Sequence, residues 1–184
     1  FGGYSRYFWA TALWRRLGHL PLPLRRLIAS GMKTASPAVW DTLFRLVRPL
    51  MPRNMRFACP GDKIHKLAGV LDAPGREAVY TRLISQWMEP DSLVLGAHEP
   101  PAPSTDPSAW LKGFEYEHQM MYLDTMTYLP DDILVKVDRA AMGVSLETRV
   151  PMLDHRVLEF AWSLPLTMKI RAGKGKWLLR QLLY

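Results

Sequence analysis

The densest run of residues able to do chemistry lies between Tyr128 and Pro165. Glu147 and Arg149 stand two positions apart, and in an extended segment such neighbours project to the same side. An acid and a guanidinium presented together beyond a helix end can hold an amino-acid substrate or position a nucleophile. They can equally pair with each other on a solvated surface. Upstream, Asp132 and Lys136 are spaced for an i,i+4 ion pair in the favourable order. Asp138 lies at the edge of an apolar stripe made by Leu134, Val137, Ala141 and Val144, so its carboxylate is expected to be partly buried and to need a partner. Lys136 and Arg139 are the local candidates. Such a carboxylate is either a substrate or metal contact or one half of a structural ion pair.

The other reactive residue types lack a pattern. The five histidines have no partner at i,i+3 or i,i+4 and no HExxH spacing, so ligation of a metal by histidine is not expected. Cys59 is the only cysteine, which excludes an intrachain disulfide and a Cys-rich zinc site and fits a reducing compartment. Arg171-Ala172-Gly173-Lys174-Gly175-Lys176 reads as a basic, glycine-containing turn opening a helix, and helix N-termini attract anions. The GxxxxGK[ST] order of a phosphate loop is absent from it.

These residues must be carried by short helices. Fifteen prolines in 184 residues interrupt any long helix. The pattern predicts helices over 4–17, 24–29 and 37–48, the last with Ser36 as N-cap and Pro37 at its first position. Further helices are expected over 62–71, 75–88, 108–127 and 131–145. Glu99 to Pro107 is a proline-rich loop. Residues 147–153 should be extended, because Val150 precedes Pro151, and a helix over 155–163 should follow with Asp154 as its cap. No hairpin signal and almost no period-two alternation appear, so this sequence is mostly α.

Composition narrows the classes further. Apolar residues make up 48% and charged residues 22%, enough for an ordinary core. No apolar run approaches a membrane span. Of the net +7, residues 1–57 hold ten Lys/Arg against Asp41 alone, among them Arg15, Arg16, Arg25, Arg26, Arg45, Arg48, Arg53 and Arg56. This basic half reads either as an anion-binding face for nucleic acid or membrane or as a solvated helical surface. No nucleic-acid motif accompanies it. The chain opens Phe1-Gly2-Gly3-Tyr4 without an initiator methionine and closes on an amphipathic pattern, Trp177–Tyr184, without a stop signal. It is expected to be an internal piece of a longer protein.

The run Tyr128-Leu-Pro-Asp-Asp-Ile-Leu-Val-Lys136-Val-Asp138-Arg139, continued by Leu146-Glu147-Thr-Arg149-Val-Pro151-Met-Leu-Asp154-His155, resembles the hallmark of glutamine-dependent asparagine synthetases. The opening Phe1-Gly2-Gly3-Tyr4 with Arg6-Tyr7 resembles that family's FGGY-RY, which follows an acidic, glycine-rich loop. Lys174-Gly175-Lys176 through Arg180 resembles its K-K-LLR helix. The resemblance implies the C-terminal part of an α/β synthetase domain like the ATP pyrophosphatases. Residues 1–107 would be its variable basic helical region and 108–184 its motif-bearing region, both within one synthetase domain.

It further implies ATP and Mg2+ as cofactors, held mainly by residues outside 1–184, and aspartate with glutamine-derived ammonia as substrates. A cytoplasmic enzyme is expected, without nucleic-acid or membrane partners; homodimerisation of the full-length protein stays open. By this resemblance Glu147 is the catalytic residue that orients or deprotonates the amine. Lys136, Asp138, Arg139 and Arg149 line the cleft or brace its helix, Arg149 bracing Glu147. Asp154 and Tyr4 are structural motif positions. The glutaminase domain, the SGG-DS pyrophosphate loop and the R-K-GF lysine of the family have no counterpart in these residues, so the 184-residue chain alone is expected to be inactive. Left open are a related ligase acting on another carboxylate and a basic helical binding module.

Overall fold

A computed structural model describes residues 1–51, 59–87 and 90–183. Arg53, Arg56, Tyr184 and the end of the expected 75–88 helix at Met88 lie outside the described residues. Those described are mostly helical. The helices are α1 (Ser5–Leu17), α2 (Leu22–Thr34), α3 (Pro37–Val47), α4 (Pro60–Leu71), α5 (Arg76–Ile84), α6 (Tyr116–Met126), α7 (Val135–Met142), α8 (His155–Ser163), α9 (Leu166–Lys169) and α10 (Trp177–Leu183).

Prolines start these helices more often than they stop them. Pro23, Pro37 and Pro60 occupy the first turn of α2, α3 and α4. A first-turn residue has no intrahelical N–H bond to lose, and the fixed φ of proline is already helical. For that reason α2 starts at Leu22 rather than at the expected Leu24, and it runs on past the expected Ala29 to Thr34. The expected 108–127 helix is shorter for the opposite reason. Gly113 takes φ +82°, and α6 begins only at Tyr116, after a separate 3-10 turn over Pro107–Ala109. The expected 131–145 helix starts as a wide π-turn over Leu129–Leu134, where Pro130 has no N–H to donate, and continues as α7. It ends at Met142, and Ser145 turns left-handed at φ 59°.

One hairpin corrects the sequence expectation. β1 (Ile170–Arg171) pairs antiparallel with β2 (Lys174–Gly175). Ala172 and Gly173 both have positive φ, the geometry that matches the right-handed twist of paired strands. With alanine at the first left-handed position, the usual Asn-Gly or Gly-Gly signal is missing.

The chain divides into two compact units, one of residues 1–11 with 99–184 and the other of residues 12–98. In the second, α4 packs against α2, α3 and α5. Ala29, Ala68 and Leu71 form a buried cluster with Leu17 and Met32 against it. Gly61 sits so close to the Pro37 carbonyl that a Cβ has no room. The Gly61 N–H also donates to Asp41 Oδ1 at 2.8 Å, a side-chain acceptor for one of the free donors of the first turn of α4. Arg25 is buried, donating from Nη1 to the Ala73 carbonyl at 2.8 Å and the Leu71 carbonyl at 3.4 Å, and from Nε to the Leu20 carbonyl at 3.1 Å. Two of those carbonyls lie at the end of α4, where the helix dipole favours a cation.

In the first unit α6 is the central element. It buries Tyr116, Met120, Met121 and Leu123, and with them the polar His118, Gln119 and Asp124. Gln119 donates from its amide to the Leu111 and Phe114 carbonyls at 2.7 and 3.0 Å, fixing the turn that enters the helix. The opening Phe1–Gly3 segment docks on the hairpin. The Lys176 N–H donates to the Phe1 carbonyl at 3.1 Å, and Gly175 leaves no room for a Cβ against the Gly2 carbonyl.

Candidate functional site

Two hollows in the first unit collect the residues of interest. An open groove of about 710 Å³ runs between the π-turn and α7 on one side and residues 148–154 on the other. It brings together Asp138, Arg149 and Asp154, with Leu134, Val137 and Val150 as apolar lining. Of the segment expected to be extended, 147–153, residues 147–150 carry no helix or strand and Val150 is extended, whereas Pro151–Leu153 form a 3-10 turn. Glu147 and Arg149 meet as the two-residue spacing allows, with Arg149 Nη2 2.5 Å from Glu147 Oε1. Both side chains are strongly exposed, at 84% for Arg149 and 70% for Glu147.

Asp138 is exposed rather than partly buried. Its helix ends at Met142, and among the described residues Val137 and Val144 of the expected stripe are themselves exposed, while Leu134 and Ala141 are half-buried. Lys136 pairs with Asp132, and that hydrogen bond raises its ammonium above the ordinary lysine value. Arg139 is exposed on α7. Asp154 caps α8: its Oδ1 accepts from the Arg156 backbone N–H at 2.9 Å, and the Arg156 guanidinium closes on both oxygens at 2.9 and 2.8 Å. The guanidinium first, then the backbone donor, hold the Asp154 carboxyl below its ordinary value.

The second hollow is a cavity of about 230 Å³ behind the Phe1–Tyr4 segment. Its walls include Tyr4, Tyr7, Met121, Tyr128, Leu158 and Trp162. Two buried charged groups also line it. Asp124 is 4% exposed and accepts from Tyr7 Oη at 2.5 Å and Arg6 Nε at 3.0 Å, with Arg6 Nη2 in ion-pair contact at 2.8 Å. The Arg6 guanidinium lies over the rings of Tyr4 and Tyr128, 4.3 and 4.7 Å from their centroids, close enough for cation–π attraction. Burial, then the neighbouring Tyr128, raise the Tyr4 hydroxyl above its ordinary value.

The other charged group is Lys169, 2% exposed. Its Nζ stands 2.9 Å from His118 Nε2 and 3.5 Å from the Trp162 carbonyl, and 5.0 Å from the Trp162 ring centroid. His118 Nδ1 in turn meets Glu115 Oε2 at 2.8 Å. The consistent assignment has Nδ1 donating to Glu115 and Nε2 accepting from Lys169. Burial lowers the Lys169 ammonium below its ordinary value, against the opposing pull of Glu115.

Sequence reasoning passed over Asp124, Lys169 and His118. One signal existed for Lys169, an isolated cation in the apolar run Leu164–Ile170. None existed for Asp124, whose partners are more than a hundred positions away. Among the described residues, no group of three or more His, Cys, Asp or Glu side chains could hold a metal ion. No helix among them is long and apolar enough to cross a membrane.

A family model described as asparagine synthase matches residues 1–184. A putative glutamine-hydrolysing asparagine synthetase of Mycobacterium bovis is 32% identical over 187 aligned positions, covering all of this chain and 25% of the relative. Glutamine-hydrolysing asparagine synthetase 3 of Bacillus subtilis is 40% identical over 65 positions, 35% of this chain and 10% of the relative. The chain thus spans at most about a quarter of the length of these curated relatives. No solved structure matches. With a family match along its whole length and the FGGY, YLPDDIL and LETRVP segments grouped in one unit, the chain belongs to the asparagine synthase family.

Proposed function

We propose that this chain is part of a glutamine-dependent asparagine synthetase. In that reading the complete enzyme activates the side-chain carboxylate of aspartate with ATP. Ammonia released from glutamine displaces AMP from the acyl-adenylate, giving asparagine, AMP and pyrophosphate. Adenylation turns a poor leaving group into a good one, which is the chemical reason for spending ATP. The whole of residues 1–184 belongs to a single synthetase domain of ATP-pyrophosphatase-like α/β fold, with 1–107 and 108–184 as its variable and motif-bearing regions.

The observation that carries the reading is the open groove beside α7. Asp138, Arg149 and Asp154 border one hollow, and Glu147, which is not part of its lining, is ion-paired with Arg149. Glu147 is assigned the role of orienting or deprotonating the incoming amine, and Arg149 that of bracing it. Lys136, Asp138 and Arg139 are assigned to the cleft or its supporting helix. The described carboxylates do not form a magnesium site by themselves. Mg2+ and ATP are assigned mainly to residues beyond this chain.

The test is Glu147→Gln in the full-length protein. The variant should melt with the wild type, because the side chain is exposed, while aspartate-dependent formation of asparagine falls by about 10²-fold or more, the scale of losing a general base. Wild-type turnover by the variant removes the assignment. Activity with a different carboxylate but not with aspartate moves the protein to a related ligase. A further expected outcome is that the 184-residue chain alone releases no AMP.

A further inference from the structure

We infer that α2 and α3 carry a second, outward apolar face that docks on an anionic lipid surface. Both helices pack on α4. In α3 the half-buried residues are Pro37, Trp40, Asp41 and Phe44, at i, i+3, i+4 and i+7, the spacing of one packed face. The exposed side carries a stripe of its own. Val39, Leu43, Leu46 and Val47 stand at i, i+4, i+7 and i+8, and Leu46 is 72% exposed. The pattern recurs in α2, where Arg25 and Ala29 are buried while Leu24, Leu27 and Ile28 are exposed at i, i+3 and i+4, Leu27 by 70%. A single exposed leucine is ordinary, but apolar residues gathered along a helix face mark a place of interaction.

Charge selects the occupant. Residues 22–48 hold Arg25, Arg26, Lys33, Arg45 and Arg48 against Asp41 alone. Arg25 is buried on the carbonyls at the end of α4, and Lys33 pairs with Asp72. The single acid is engaged elsewhere, its Oδ1 accepting from the Gly61 N–H. Arg26, Arg45 and Arg48 are left exposed on the two helices and their ends, and no carboxylate among the described residues pairs with them. A second copy of this face would set guanidinium against guanidinium, and a nucleic acid has no use for the leucines. An anionic bilayer takes both: its phosphates meet the cations while the leucines and valines enter the acyl boundary, as for a helix lying in the interface plane. The long arginine side chains reach from that depth to the headgroups. A lipid surface also needs no shaped groove, so it can cover two stripes at once, whereas an acidic helix of a partner would cover one. Such a peripheral contact departs from the sequence-based expectation of no membrane partner. Residues 22–48 take no part in the groove of Asp138 and Arg149, so its failure leaves the synthetase reading untouched.

The test sediments the full-length protein with vesicles of phosphatidylcholine, alone or mixed with phosphatidylglycerol. The mixed vesicles should bind it about tenfold or more tighter than phosphatidylcholine alone, and added salt should weaken that binding. Arg45→Gln with Arg48→Gln should lose about tenfold or more in affinity through charge. Leu43→Gln with Leu46→Gln should lose about tenfold or more through apolar burial. All four side chains are exposed, so both double variants should melt with the wild type. An environment-sensitive dye on Leu46→Cys, in a Cys59→Ser background because Cys59 is exposed, should shift to the blue on adding mixed vesicles. The inference is overturned if neither vesicle binds, if both bind equally, if the leucine substitutions leave binding unchanged, or if the dye does not respond. Duplex DNA binding more tightly than the mixed vesicles overturns the lipid class. A dye already shielded from iodide without vesicles also overturns it. The cover is then a second copy where light scattering gives a dimer, and the protein's own chain where it gives a monomer. Should a glutamine variant fail to fold, the dye decides: a shift saturating with mixed vesicles supports the face, and an unmoved dye rejects it.

Discussion

Replacing Asp124 with alanine withdraws a carboxylate that accepts from Arg6 Nε and Tyr7 Oη at 3.0 and 2.5 Å and pairs with Arg6 Nη2 at 2.8 Å. At 4% exposure water does not take its place. Breaking a buried charge pair by removing one partner costs about 3–5 kcal/mol, because the remaining charge stays behind. The low end applies here: the Arg6 side chain keeps 19% of its surface in solvent and lies over the Tyr4 and Tyr128 rings, which hold part of its charge. About 3 kcal/mol is therefore expected, and at about 2–4 °C per kcal/mol for a chain of this size Tm should fall by about 6–12 °C. Asp124→Asn keeps the shape and one acceptor and should fall between alanine and wild type. Tyr7→Phe removes a single hydrogen bond to a charged acceptor and should cost about 1.5 kcal/mol. The assay is urea unfolding followed by tryptophan fluorescence, with Arg6→Ala and the double variant completing a cycle. Asp124→Ala within about 1 kcal/mol of wild type, in the range of an ordinary substitution, refutes the reasoning.

Three more outcomes are expected. Arg25→Met should lower unfolding free energy by about 3 kcal/mol and Arg25→Lys by less, since three buried or half-buried carbonyls lose a guanidinium donor; equal midpoints for Met and wild type in urea would speak against the capping role. Gly61→Ala should cost about 1–3 kcal/mol, because the new Cβ forces α4 away from the Pro37 carbonyl; a neutral result shows that the α3–α4 contact yields freely. Stability should rise with pH between the lowered folded value of Lys169 and its unfolded value near 10.5, since there the unfolded chain binds more protons than the folded one. Urea midpoints from pH 7 upward should show that rise in wild type and not in Lys169→Met.

Much of the local architecture was legible because its causes are local. Pro37 at a helix start, the 155–163 helix capped by Asp154 and the extended Val150 before Pro151 depend on neighbours within a few positions. The same holds for the pairing of Asp132 with Lys136. Helix lengths were harder. Prolines read as interruptions of helices, yet Pro21 and Pro23 open α2, because proline is harmless in a first turn and disruptive only further in. The hairpin over Ile170–Gly175 escaped notice because Ala172, not asparagine or glycine, holds the first left-handed position. Asp138 looked half-buried from its spacing, but a helix face is buried only where another element covers it, and among the described residues Val137 and Val144 beside it remain exposed.

By itself the sequence determined the family, the predominance of helix and the order of the motif segments, because these follow from residue identity and short-range spacing. Only the tertiary structure decided that Asp124 serves Arg6 and Tyr7, that Arg25 closes the end of α4, and that Lys169 is buried beside His118 rather than in solvent. Each of these is a charged group whose partner lies far along the chain. Burial and charge compensation depend on which distant segments meet, and no local pattern encodes that meeting.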